Sequence, residues 1–153
     1  MFEVRKISQL QDIYFRRFNV PDNHHNSGRK YEHTNAVDSG AANRFPWGSI
    51  QWLCTGEAAP GGNLTVGYVQ IDPGHKNPRH YHPNSSEVLF LIEGELDHSL
   101  GDETFHLAAQ MSIFIPVGVE HDARNNGSRT ALMVVAYPTG DRQAVMLESG
   151  RDE

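Results

Sequence analysis

Residues 74–87 read Gly74-His75-Lys76-Asn77-Pro78-Arg79-His80-Tyr81-His82-Pro83-Asn84-Ser85-Ser86-Glu87, and the rest of the chain is best read outward from them. Successive side chains of a β-strand point to opposite faces, so residues two apart share a face. His80 and His82 therefore look the same way, with Tyr81 opposite. Two imidazoles side by side supply half of a metal site. Glu87 opens an apolar run after a short Pro-Asn-Ser-Ser turn, so it can fold back beside the two histidines. Further on, Pro116-Val117-Gly118-Val119-Glu120-His121 reads as a strand-turn-strand that could carry His121 to the same point. Three neutral imidazoles and a carboxylate suit Fe(II), Mn(II), Ni(II), Co(II) or Zn(II), and they leave room for water, dioxygen or substrate.

The sequence around this stretch is a series of short strands. Ser49–Thr55, Asn63–Ile71, Glu87–Ile92, Glu95–Leu100, Thr104–Leu107, Ser112–Ile115 and Ala131–Tyr137 are apolar or alternating. They are punctuated by Asp72-Pro73-Gly74, Gly94, Gly101-Asp102 and Asn126-Gly127. Turn signals every ten or so residues predict an all-β sandwich or barrel. In Glu87–Ile92 both alternating faces are largely apolar, so a second layer, the N-terminal segment or a second subunit should cover the outer face. A homodimer is the expectation drawn from it. Ile7, Leu10, Tyr14 and Phe18 suggest a short amphipathic helix or an edge strand over residues 2–20. From Pro21 to Gly48 the chain is polar and aperiodic, and reads as a lid or an arm. The tail after Pro138 is polar and expected to fray. The organisation is thus an N-terminal segment and polar loop over residues 1–47, a barrel over 48–138 and a tail over 139–153.

Composition removes several function classes. The 153 residues make one domain, and 13 basic against 19 acidic side chains leave a net charge of −6. That balance argues against a nucleic-acid partner and against a polybasic membrane surface. No apolar run is long enough to span a membrane, and the first residues lack the apolar stretch of a secretory signal. The lone Cys54 lies in an apolar run and reads as an inert buried thiol. A cytoplasmic protein is the expectation.

The histidine stretch resembles the first motif of the cupin superfamily, in which Gly, His-x-His, Glu and Gly recur at set spacings. Gly74, His80, His82, Glu87 and Gly94 match it throughout. Pro116, Gly118, His121 and Asn125 match the second motif, whose leading Gly is replaced here by Gln110. A Gln there requires another turn geometry or a strain of about 1 kcal/mol. The resemblance covers residues 48–137. It implies a cupin-type antiparallel jelly-roll β-barrel with one divalent ion (Fe, Mn, Ni, Zn or Co) held by His80, His82, Glu87 and His121.

The same resemblance implies an enzyme acting on a small oxygen-rich molecule, with a mononuclear non-haem dioxygenase as the leading reading. Glu87 would be a ligand able to loosen and act as a base. A redox-neutral lyase, isomerase or decarboxylase of sugar or organic acids is the alternative, and a non-catalytic small-molecule-binding cupin a further one. His98 shares a strand face with Leu96 and Leu100, so it either lines the pocket as a proton shuttle or is a hydrogen-bonded structural residue. Arg79 could grip a substrate carboxylate or form a surface ion pair. Gln51 and Tyr68 are weaker substrate-binding candidates, and Trp52 reads as core. His24, His25, His33, His75 and His106 read as solvated, with a lid role open to the first three.

Overall fold

The computed structural model describes residues 37, 42–56 and 62–147, all within the unit Asn35–Glu153. Among them there are strands and no helix: β1 (Asn43–Phe45), β2 (Gly48–Cys54), β3 (Thr65–Ile71), β4 (His80–Tyr81), β5 (Glu87–Glu93), β6 (Glu95–Leu100), β7 (Glu103–Ala108), β8 (Ser112–Ile115), β9 (His121–Arg124), β10 (Ala131–Tyr137) and β11 (Val145–Met146). The N-terminal helix or arm and the three early histidines expected from the sequence lie outside the described residues. No helix among the described residues is long and apolar enough to cross a membrane.

Two antiparallel sheets form a jelly roll, one ordered β1-β2-β3-β10-β5-β8 and the other β11-β4-β9-β6-β7. The period-2 pattern explains which side chains meet between them. Val69, Ile71, Leu89, Leu91, Met133 and Val135 come from the first sheet, Leu96, Leu107 and Ala123 from the second, and all are buried in one cluster. Gly94, with φ +88°, carries the chain from β5 in one sheet to β6 in the other. A Cβ there would stand 3.0 Å from the Ala131 backbone.

Three sequence expectations change. The supposedly aperiodic stretch ending at Gly48 contains β1, a hairpin partner of β2, joined through Pro46 and Trp47. Phe45 and Trp47 stack in parallel with centroids 5.0 Å apart, a pairing that local polarity does not reveal. The tail does not fray over 139–147: β11 pairs with β4, and Leu147 N donates to Arg79 O. The outer face of β5 is covered by no described element, which leaves the N-terminal segment or a second subunit as its expected cover. Val88 and Phe90 remain 44% and 38% exposed, beside Phe114 of β8 at 59%. Cys54 is half-buried rather than sealed, with its thiol 3.8 Å from Leu64 O.

The second-motif turn takes the strained course. Gln110 is the one non-glycine with positive φ among the described residues, at 72°. Its Nε2 donates to Ile92 O and its backbone N to Leu91 O, which secures the turn to β5. Asn125 is fully buried and structural. Its Nδ2 donates to Ile71 O and Arg129 O, while its Oδ1 accepts from Gly127 N.

Candidate metal centre

His80 begins β4, His82 follows that strand, Glu87 begins β5 and His121 begins β9. The sheet places His80 directly opposite His121 in antiparallel register, their rings 4.3 Å apart. Gly118 N donates to His82 O, which ties the second-motif turn to the first motif. One ligand atom from each of the four residues lies within 4.8 Å of the others, and all four side chains are nearly or fully buried. The four residues singled out from the sequence are therefore brought to one point.

The histidines share a hydrogen-bond arrangement. Nδ1 of His80 reaches Pro78 O at 2.8 Å, Nδ1 of His121 reaches Val119 O at 2.8 Å, and Nδ1 of His82 reaches Gln143 O at 2.7 Å. A carbonyl only accepts, so each Nδ1 must carry the hydrogen, which leaves each neutral Nε2 with a free lone pair. Those lone pairs point at a carboxylate: Glu87 Oε2 lies 3.0 Å from His82 Nε2 and 3.3 Å from His121 Nε2. His82 could serve both of its contacts only as an imidazolium, and His121 Nε2 is buried without a hydrogen-bond partner. Acceptors facing acceptors in a dry site are unfavourable unless a cation lies between them. The residues thus fit a divalent ion, and the nitrogen and oxygen donors suit a transition metal.

Electrostatics agree. Burial, then the nearby His121, lowers the His80 pKa from 6.5 to about 4, so its imidazole is neutral at pH 7. Burial alone would raise the Glu87 carboxyl, but hydrogen bonds and positive charge from the His121 and His82 rings, when these carry hydrogen on Nε2, hold it well below the usual carboxylate range, and a cation between the groups would act in the same direction. His98 is fully buried, stacks at 5.8 Å on His121, and has its pKa lowered to about 4, chiefly by burial and then by His121. Its Nδ1 has no partner. It lines the cavity, with a backbone hydrogen bond at Ser99.

The other candidates fall elsewhere. Gln51 pairs with Tyr68 on the opposite face of β2 and β3 from Ile50, Trp52, Val69 and Ile71, which line the cavity. Strand parity therefore turns Gln51 and Tyr68 away from the site. Arg79 also misses the cavity. Its guanidinium lies within ion-pair distance of Glu120 and Asp122, and donates to Ser99 Oγ and Gly101 O, which is the surface ion-pair reading. His106 is exposed and bonded to Asp97. Trp52 lines the cavity because Gly67 leaves room for its ring: a Cβ on Gly67 would stand 2.9 Å from it. The sequence reading missed Tyr137 and Arg142. Tyr137 packs at 4.9 Å on the His82 ring, and burial followed by Glu87 raises its pKa well above the usual phenol value. Arg142 lies in the supposed tail, where no local pattern marked it.

Comparison with known proteins decides the family. The sequence matches the cupin domain over residues 67–137, and it is 30% identical to protein SchB of Streptomyces halstedii over 65% of this chain and 72% of that one. The chain belongs to the cupin family. This cupin is also 35% identical to polyketide synthase CurC of Streptomyces cyaneus, over 60% of each chain, so it spans less than two thirds of that relative's length. Among solved structures it resembles recombinant oxalate oxidase in complex with glycolate, with TM-score 0.67 and 21% identity, over 84% of this chain and 68% of that one. At that identity the likeness concerns the fold.

Proposed function

We propose that this cupin is a metal-dependent enzyme. Its substrate presents oxygen atoms to the ion and an apolar body to the wall, as an enolisable dicarbonyl or a phenol does. The reaction is dioxygenase-type. The convergence of three imidazole lone pairs and a carboxylate carries this reading. His80, Glu87 and His121 open on a cavity of about 90 Å³ walled mainly by apolar side chains such as Leu89, Met133 and Val135.

His80, His82, Glu87 and His121 would hold the ion. When bound, a divalent ion polarises substrate oxygens and eases loss of a nearby proton, and a redox-active one also handles dioxygen. The chain supplies the rest. His98 is neutral above about pH 4, has a free Nδ1 and lines the same cavity, so it can take up the substrate proton. The apolar wall orients the substrate body and excludes water. The name of CurC supports a carbonyl-rich substrate, because polyketides alternate carbonyl groups that chelate divalent ions. A redox-neutral second reading, as a lyase or isomerase, is favoured by His98 alone, since proton removal needs no dioxygen.

Metal analysis of protein purified without chelators, followed by an oxygen electrode with acetylacetone and catechol, tests both. About one equivalent of iron and oxygen uptake that disappears in His121→Ala support the first. Turnover without oxygen uptake moves the assignment to the second. Failure to hold any divalent ion after reconstitution rejects both.

A homodimer remains part of this proposal, supported by exposed Val88, Phe90 and Phe114 and checked by sedimentation. So does a cytoplasmic site of action, supported by a single cysteine in the sequence.

A further inference from the structure

The metal cavity does not stand alone. A second, wider cavity of about 630 Å³ is bordered by Thr55, Asn63, Thr65 and Asp141. The two cavities share two lining residues, Trp52 and Arg142. At about 90 Å³ the inner one is smaller than the roughly 150 Å³ needed to enclose a benzene ring. A substrate larger than a few atoms must therefore extend past Trp52 and Arg142 into the outer one.

Arg142 is the sole Arg or Lys lining either cavity among the described residues. Its guanidinium is held 4.7 Å over the Trp52 ring and 5.2 Å from the Tyr137 ring, which fixes its plane without consuming its N–H donors. No described carboxylate forms an ion pair with it. Its Nη1 lies 3.4 Å from His82 Nδ1. That nitrogen already donates to Gln143 O and so cannot accept from the guanidinium. Asp141 borders the outer cavity but not the inner one. A preorganised guanidinium without a carboxylate partner among the described residues, at the neck between two cavities, matches the planar fork of a carboxylate.

We propose that Arg142 is a specificity-determining residue that binds a substrate carboxylate at this neck. The substrate is then an acid whose chelating head enters the inner cavity and whose remainder lies in the outer one. This rests on the metal-centre reading above.

The test uses zinc-loaded full-length protein under nitrogen, with calorimetric titration of N-hydroxysuccinamate, an aliphatic hydroxamate with a terminal carboxylate, and of its amide. The two probes share the chelating hydroxamate and differ only in the charge at the far end. Wild type should bind the acid about 10- to 100-fold more tightly than the amide. Arg142→Met should bring that ratio close to one while leaving zinc stoichiometry and amide affinity unchanged, and Arg142→Lys should retain part of it. A purely structural Arg142 would weaken both probes alike and leave the ratio unmoved. An unchanged ratio in Arg142→Met, or no preference in wild type, overturns the proposal. So does a zinc-loaded wild type that binds neither probe. Absence of zinc uptake by the wild type instead rejects the metal-centre reading, and this proposal with it.

Discussion

His80, His82 and His121 each place Nδ1 against a backbone carbonyl, whereas His98 bonds the backbone at Ser99 and leaves its Nδ1 without a partner. The difference separates the three rings that would hold an ion from the one that the proposal makes a proton carrier. It also predicts a pH dependence. In metal-free protein the His98 pKa is about 4, against 6.5 when unfolded. Above 6.5 the ring is neutral in both states; between 6.5 and 4 the unfolded chain binds the extra proton. Stability is therefore complete above 6.5 and falls as pH drops to about 4, by about 3 kcal/mol for such a shift. His80 contributes a similar slope. Urea unfolding of metal-free His98→Gln at pH 7 and at pH 4.5 should show a smaller loss than wild type; equal losses would refute the assignment. Gln110→Gly tests another single residue. Relieving the positive φ of 72° should raise unfolding free energy by up to about 1 kcal/mol, read as a higher urea midpoint at constant m-value.

At the scale of elements, the segment 139–147 acts as a strap across the mouth of the site. It supplies the Gln143 carbonyl to His82, brings Arg142 over Trp52, and pairs β11 with the strand that carries His80. Asn84 secures it: its Nδ2 donates to Asp141 O and its Oδ1 accepts from Gln143 N. Loss of an outer partner of a metal-ligating histidine typically costs about 10- to 100-fold in affinity. Truncation after Pro138 should therefore weaken zinc binding by about that factor in a competition titration. Asn84→Ala, which leaves the strap in place but loosens it, should give a smaller change in the same direction. Unaltered affinity in both variants would separate the strap from the centre.

For the whole molecule, the two sheets are joined at the site as well as through the core. Glu87 belongs to the sheet of β5, and His80 and His121 to the sheet of β4 and β9. An ion bound by all of them cross-links the layers and adds its binding free energy to stability. At a free concentration about 100 times Kd the gain is about 2.7 kcal/mol. Melting curves should shift upward with added zinc or manganese in wild type and stay put in His121→Ala. A variant that shifts as wild type does would place the ion elsewhere.

The sequence by itself determined the all-β class, most strand bounds and the shared face of His80 and His82, while the convergence of Glu87 and His121 on that pair was implied by the motif resemblance. The first three depend on short-range physics: alternation of side chains along a strand and turn residues at fixed offsets. Ser112–Ile115 and Ala131–Tyr137 were legible to the residue for that reason. Tertiary structure decided what depends on partners distant in the chain. Gln51 and Tyr68 turn outward because the register of β2 with β3 assigns the inner face to their neighbours. Arg79 is consumed by Glu120 and Asp122, and β1 and β11 exist because a partner strand completes their hydrogen bonds. Arg142 reaches the neck only because the strap folds back some sixty residues to the histidine it helps to frame. Local pattern records which way a side chain leaves its own strand; it holds no record of what the rest of the chain brings to meet it.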